Sequence, residues 1–204
     1  RAAMHFLDRN PPDLGEVREA LACVVDDADR ARDIIDRIRD QIKKAPPRKG
    51  RFDLNQAIDE VIALARSAIT ENGVLVQTRL TEGLASVEGD RVQLQQIVLN
   101  LILNAVEAMS SVEAGERELL ISTAQDQTNN GVLVAVRDSG PGINPAHVER
   151  VFDAFYTTKS CGMGMGLSIC RSIIDGHGGR LWAHVNEPRG AVFQFTLPSA
   201  ETNS

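Results

Sequence analysis

The chain has 204 residues, 43% of them hydrophobic, and a formal net charge of −6. That length fits one or two domains with a packed core, and the acidic balance argues against a general nucleic-acid binder, which would be basic. No apolar run approaches the roughly 18 residues of a membrane span, and no signal-peptide pattern is read at the start.

The three cysteines, Cys23, Cys161 and Cys170, have no C-x-x-C or Cys/His ligand spacing. They read as free thiols in a reducing compartment, in the cytoplasm or on a cytoplasm-facing part of a membrane-bound protein. The opening at Arg1, in mid-pattern, reads as part of something longer. Asn10-Pro-Pro-Asp13 breaks the chain, and Asp13 with Glu16 fits a capping box, so a helix is expected from Leu14. Val17, Leu21, Val24, Ala28, Ala31, Ile35, Ile38 and Ile42 repeat at heptad spacing, a stripe that needs an equally long partner. The expected cover is an upstream helix, a second copy of the chain through residues 14–45, or both; the alternative is a lone amphipathic helix folded on its own domain. The charged run from Arg30 to Arg51 reads as a solvated face. Two prolines and Gly50 mark a hinge, giving a helical segment 1–45, a hinge 46–50 and a second domain 51–200.

In the second domain, Asp53 or Asn55 can cap a helix running to Asn72-Gly73, and Val74 to Leu80 alternates as a strand. Asp90 with Gln93 resembles a capping box that opens a helix to about Ser110. Leu119 to Ala124 and Val132 to Val136 read as a strand pair. A helix is expected from Gly166 to about Gly176, then strands Arg180 to Val185 and Ala191 to Leu197 joined by a turn at Asn186–Gly190. About three helices and a mostly antiparallel sheet give a two-layer α/β sandwich. The βαβ alternation of a Rossmann fold is missing.

Between the strand ending near Asp138 and the helix opening at Gly166 lies a long loop with two glycine clusters. Loops of this length in a compact domain are commonly functional lids. A glycine-rich segment opening a helix offers free N–H groups and a favourable dipole to an anion, so a phosphate-bearing ligand under a lid from about Asn144 to Met165 is expected. Asp138 reads either as a turn cap or as an acceptor for the exocyclic amine of a purine. Gly140 and Gly142 would let backbone approach a flat ring, and Lys159 would pair with a phosphate. Cys161, in the lid, reads as a small residue rather than a reactive one.

The helix from Arg91 carries a polar line, Gln93, Gln96, Asn100, Asn104 and Glu107, through apolar surface. Asn100 and Asn104 are i, i+4 neighbours. They read as a buried amide pair bonded to backbone or, with a phosphate loop at hand, as oxygen ligands for Mg²⁺.

Taken together, Asn100-x-x-x-Asn104-Ala, Asp138-x-Gly140-x-Gly142, Phe152-x-x-Phe155 and Gly162-x-Gly164-x-Gly166-Leu resemble the N, G1, F and G2 boxes of bacterial sensor histidine kinases. Their catalytic domain has the Bergerat (GHKL) ATP-binding fold, and the resemblance covers about residues 51–198. It implies ATP and Mg²⁺ as cofactors, Asn104 as the metal ligand with Asn100 beside it, and Asp138 on the adenine amine with Gly142 lining the base pocket. Lys159 and Gly162, Gly164 and Gly166 would hold phosphates. Glu107, Ile143, Thr158, Met163, Met165 and Leu167 would complete the nucleotide contacts. Hydrolytic members of the superfamily resemble one another in carrying a Glu four residues before the metal Asn; here that residue is Asn100. The resemblance then implies transfer of the ATP γ-phosphoryl to a histidine, relayed to an aspartate of a response-regulator receiver domain. A nucleotide-dependent binding module and a GHKL-type ATPase are the alternatives. Residues 1–45 resemble the end of the first and all of the second helix of the dimerisation and phosphotransfer hairpin. His5, followed by Phe6-Leu7-Asp8-Arg9, does not match the acceptor motif, so the acceptor histidine is expected on an upstream helix and the chain is expected not to autophosphorylate alone.

Overall fold

The computed structural model describes residues 49–112, 115–126, 131–157 and 164–200. The chain divides into two compact units, Arg1–Pro47 and Arg48–Ser204, and the described residues all belong to the second. The heptad stripe, His5, Cys23, Cys161, Thr158, Lys159, Gly162 and Met163 lie outside the described residues.

In chain order the elements are β1 (Lys49–Phe52), α1 (Leu54–Leu64), α2 (Arg66–Glu71), β2 (Leu75–Arg79), β3 (Val87–Asp90), α3 (Arg91–Ser110), β4 (Glu118–Asp126) and β5 (Gly131–Asp138). Two 3-10 turns, Pro145–His147 and Arg150–Phe152, precede α4 (Gly166–Gly176), β6 (Arg180–Val185) and β7 (Ala191–Leu197). The main sheet has the order β2-β4-β5-β7-β6, parallel between β2 and β4 and antiparallel elsewhere. The expected α/β sandwich is therefore observed.

Side-chain alternation sets which face is buried. Val132, Val134 and Val136 of β5 point inward, opposite Leu197, Phe195 and Phe193 of β7. On the other side Ile121 of β4 pairs with Val136 and Thr123 with Val134. Against this face packs α3, through Leu94, Ile97, Val98, Leu101, Ile102, Ala105, Val106 and Met109, all buried. It also contacts α1 and α4, making α3 the central helix of the layer.

Several local expectations need correction. The helix after Asp53 is two helices, because Ala65 has ψ −2°, well short of the roughly −42° that continues an α-helix. The cap is Asp53, whose Oδ1 accepts from the N–H groups of Asn55 at 2.8 Å and Gln56 at 3.3 Å. Asn55 instead donates to the Thr81 carbonyl and accepts from Thr123 Oγ1. Asp90 caps α3 through Oδ1, accepting from Val92 and Gln93 N–H. The N–H of Asp90 itself, which a capping box would give to Gln93, donates to His177 Nε2 at 3.0 Å. A second, two-stranded sheet of β1 and β3 has no counterpart among the strands expected from the sequence. Its strands are short and charged, without apolar alternation, and Lys49 and Gly50, expected as hinge, begin β1.

Candidate nucleotide site

Asp138 follows the inward parity of Val132, Val134 and Val136, so the sheet carries a carboxylate to the rim of the core, where it is 4% exposed. Its Oδ1 accepts from Gly140 N–H at 2.8 Å and Ala191 N–H at 3.2 Å. Burial pushes its carboxyl above the ordinary value, while these two backbone bonds pull it down. The turn-cap reading is thus correct as far as Oδ1 goes. Oδ2 takes no hydrogen bond from the described residues, leaving one buried acceptor for an external donor.

The glycines beside it serve the protein's own backbone. A Cβ at Gly140 would come within 2.9 Å of Asp138 Oδ1 and 3.4 Å of the Ala108 methyl. Gly142 has φ +83°, and a Cβ there would meet the Gly190 carbonyl oxygen at 2.8 Å. Asn186, 8% exposed, donates from Nδ2 to the Asp138 carbonyl at 2.9 Å. The β6–β7 turn therefore supports the acidic residue from behind, and sequence reasoning misses both Asn186 and Gly190. Ile143 is partly buried against the core.

Asn100 and Asn104 are half-buried on α3 and Glu107 is exposed. The Nδ2 of Asn100 donates to the Sγ of Cys170 on α4 at 3.5 Å, so this amide meets a thiol and not the backbone partner that a purely structural amide pair would have. Gly166, the first residue of α4, lies against the same amide, its missing Cβ 3.9 Å from Asn100 Nδ2. Ala108 touches the Asp138 loop and Asn100 touches the start of α4. Eight residues of helix separate them, about 12 Å, and Asn104 lies midway.

The start of α4 suits an anion. Its N-cap, Met165, makes no side-chain cap bond, and no acidic residue occupies the first turn. The first N–H groups of such a helix have no intrahelical acceptor and sit at the positive end of its dipole. Leu167 packs on the core beneath. Gly164, with φ +65°, lies so close to the Phe155-Tyr156 backbone that a Cβ would come within 2.6 Å of the Phe155 carbonyl carbon. Phe155 N–H donates to the Gly164 carbonyl at 3.1 Å, joining the two sides of the loop. Phe152 anchors its near side, buried edge-on against Phe193 with ring centroids 6.3 Å apart. The Arg171 guanidinium of α4 stands 5.3 Å from the same ring.

Among the described residues no three His, Cys, Asp or Glu side chains gather where they could hold a metal ion. The amide oxygens of Asn100 and Asn104 on α3 are hard donors of the kind that suits Mg²⁺, which keeps waters and takes phosphate oxygens. An open cleft of about 300 Å³ lined by Asn72, Gly73, Leu75, Val112, Gly115, Glu116 and Arg117 shares no residue with this site. The Arg117 guanidinium there is already committed to the carbonyls of Asn72, Ser110 and Val112. No helix among the described residues is long and apolar enough to cross a membrane.

A family model, "Histidine kinase-, DNA gyrase B-, and HSP90-like ATPase", matches residues 89–201. The chain is 36% identical over 197 residues to the sensor histidine kinase TmoS of Ectopseudomonas mendocina, covering 97% of this chain and 20% of that protein. It is 40% identical over 192 residues to the sensor protein FixL of Bradyrhizobium diazoefficiens, covering 94% of this chain and 37% of FixL. The chain thus spans about a fifth to two fifths of the length of these curated relatives. Among solved structures, the catalytic domain of the histidine kinase ThkA superposes with a TM-score of 0.65 at 36% identity, over 74% of this chain and 95% of that one. ThkA in complex with the response regulator TrrA superposes with a TM-score of 0.74 at 29% identity, over 98% of this chain and 56% of that one. With the family model covering the segment that holds Asn100, Asp138 and α4, the chain belongs to the histidine kinase-, DNA gyrase B- and HSP90-like ATPases, and within them to the ATP-binding catalytic domains of histidine kinases.

Proposed function

We propose that the chain is the ATP-binding catalytic part of a sensor histidine kinase. It transfers the γ-phosphoryl of ATP to a histidine on an upstream hairpin helix, for relay to an aspartate of a response-regulator receiver domain. The observation that carries the reading is Asn100. Four residues before Asn104 the chain offers an amide already engaged by the Cys170 thiol. An amide cannot take a proton from water, which favours transfer to another acceptor over hydrolysis.

In this reading Asp138 Oδ2 accepts the adenine amine, and Gly142 and Ile143 border the base. Asn104, flanked by Asn100 and Glu107, would hold Mg²⁺, which on binding neutralises phosphate charge. Lys159, Thr158 and the segment Gly162-Met-Gly-Met-Gly166-Leu167 would hold phosphates, with the first N–H groups of α4 as donors. The remaining catalysis is positioning: the fold aligns the γ-phosphoryl with the incoming imidazole and excludes water. Residues 14–45 would pair two copies of the chain through their apolar stripe, with residues 46–48 as the hinge to the catalytic domain. The complex of ThkA with its response regulator supports the relay by analogy.

The test mixes this chain with γ-labelled ATP and a peptide comprising the upstream hairpin helix of a histidine kinase relative. Acid-labile, alkali-stable label on the peptide histidine is the expected result. Steady release of inorganic phosphate without label transfer would make it a GHKL-type ATPase. Tight binding with neither would make it a nucleotide-dependent binding module.

A further inference from the structure

The geometry points to Cys170 as a positioning residue for Asn100, one that fixes which end of the Asn100 amide faces the nucleotide; this rests on the kinase reading above. Cys170 is fully buried in α4, one turn after the first residue of that helix. Its Sγ receives the Nδ2–H of Asn100 at 3.5 Å. Asn100 Oδ1 takes no hydrogen bond from the described residues. The amide is therefore held with its donor spent inward and its acceptor left over, one helical turn from Asn104.

The orientation decides the chemistry. An amide oxygen repels phosphate oxygens but attracts a cation or the hydrogens of its bound waters. An NH₂ group does the reverse. The orientation present has Nδ2–H on the sulfur, and an apolar side chain at position 170 would leave the amide without the partner that holds it so. Cys170 thus commits Asn100 to the cation side of the site and keeps it from binding phosphate.

The test uses the whole chain and measures ADP affinity by calorimetry, with Mg²⁺ and with EDTA, for wild type, Cys170→Val, Cys170→Ser and Cys170→Ala. In Cys170→Val the gain in affinity that Mg²⁺ brings is expected to fall about threefold to tenfold, a hydrogen bond's worth, with affinity in EDTA unchanged or raised. Cys170→Ser restores an acceptor and should recover most of the gain. Should the valine variant unfold, serine against alanine, nearly equal in volume, carries the same comparison. In an Asn100→Ala background the substitutions at 170 should have no effect on the Mg²⁺ gain. A Mg²⁺ gain equal to wild type in both Cys170→Val and Cys170→Ala overturns the assignment, as does an equal loss with Asn100 already removed. A wild-type chain that does not bind ADP at all would instead overturn the kinase reading on which it rests.

Discussion

In the proposed reading, Asp138 divides its carboxylate between fold and ligand. Oδ1 holds Gly140 and Ala191 N–H, and an Asn at 138 would keep both bonds through its carbonyl. Its NH₂ would then face the amine of adenine, donor against donor. Asp138→Asn is expected to weaken ATP binding about ten- to hundredfold, as for a lost charge-assisted bond, while the thermal melt of the apo protein moves little. GTP, with a carbonyl where ATP has an amine, should bind the wild type poorly; calorimetry giving equal affinities would remove the base-reading role from Asp138. The same carboxyl makes a pH prediction. Burial raises it in the folded protein above the ordinary 3.8, so the folded state holds the proton longer than the unfolded one. Its contribution to stability is therefore lost as pH rises through the window that opens at that value. A donor on Oδ2 favours the ionised form, so ATP binding should strengthen as pH rises through this window and release a proton. The difference between wild type and Asp138→Asn, titrated in buffers of different ionisation enthalpy, isolates it. At Asn104, substitution by Ala should abolish the Mg²⁺-dependent part of nucleotide binding while sparing the apo melt. A large apo destabilisation with the Mg²⁺ dependence intact would make the amide structural.

At the scale of elements, α3 and α4 are joined at both ends of their contact. Near the start of α4 the link is Asn100 to Cys170. At its end His177 accepts Asp90 N–H at Nε2 and meets the Ile173 carbonyl with Nδ1 at 2.8 Å. With Nε2 accepting, Nδ1 is the ring nitrogen that donates to the Ile173 carbonyl. A Cβ at Gly89 would sit 2.6 Å from the ring, so the histidine fills a slot made by that glycine. Removing the ring orphans a part-buried N–H, and His177→Ala should cost about 1–3 kcal/mol in urea unfolding. Asp90→Ala, which removes only the side-chain cap, should cost about 1 kcal/mol. A His177→Ala variant as stable as wild type would show that the ring does not brace the two helices. In the loop, Gly164→Ala forces a Cβ into the Phe155-Tyr156 backbone at a left-handed φ. It should weaken phosphate-bearing nucleotides more than adenosine, because the distortion falls beside the start of α4.

For the whole molecule the question is what this chain does without an added acceptor. Its histidines are His5, His147, His177 and His184. His177 has both nitrogens engaged in packing α4 on α3. His147 keeps Nδ1 buried, its ring 6.0 Å from that of Tyr156. His184 is exposed on β6 at the sheet edge. None of these three stands in mid-helix beside a carboxylate that could orient it. The expected outcome is a chain that binds ATP and acquires no acid-labile phosphate alone. Stoichiometric labelling lost on His5→Ala would move the acceptor into this chain.

Local chemistry was legible from the sequence wherever a short stretch decides its own structure. The caps and apolar period of α3 gave its span, the glycine after the loop gave the start of α4, and alternation gave β6 and β7. The parity of Val132, Val134 and Val136 carries Asp138 to the same face, but only the structure showed that face to be the buried one. What the sequence could not disclose were contacts between residues remote along the chain. Asn100 meets Cys170 seventy residues on, Asp90 meets His177 across 87, and Asn186 reaches back 48 to the carbonyl of Asp138. Each is one donor meeting one acceptor, without a repeat or spacing to announce it. The β1–β3 pair is of the same kind, because each strand has four residues and one large apolar side chain, Phe52 or Val87, too short a pattern to announce a strand. The fold class and the row of candidate residues follow from local periodicity and motif. Which atom of Asp138 stays open and which atom of Asn100 meets Cys170 were decided only when packing brought distant backbone and thiol against them.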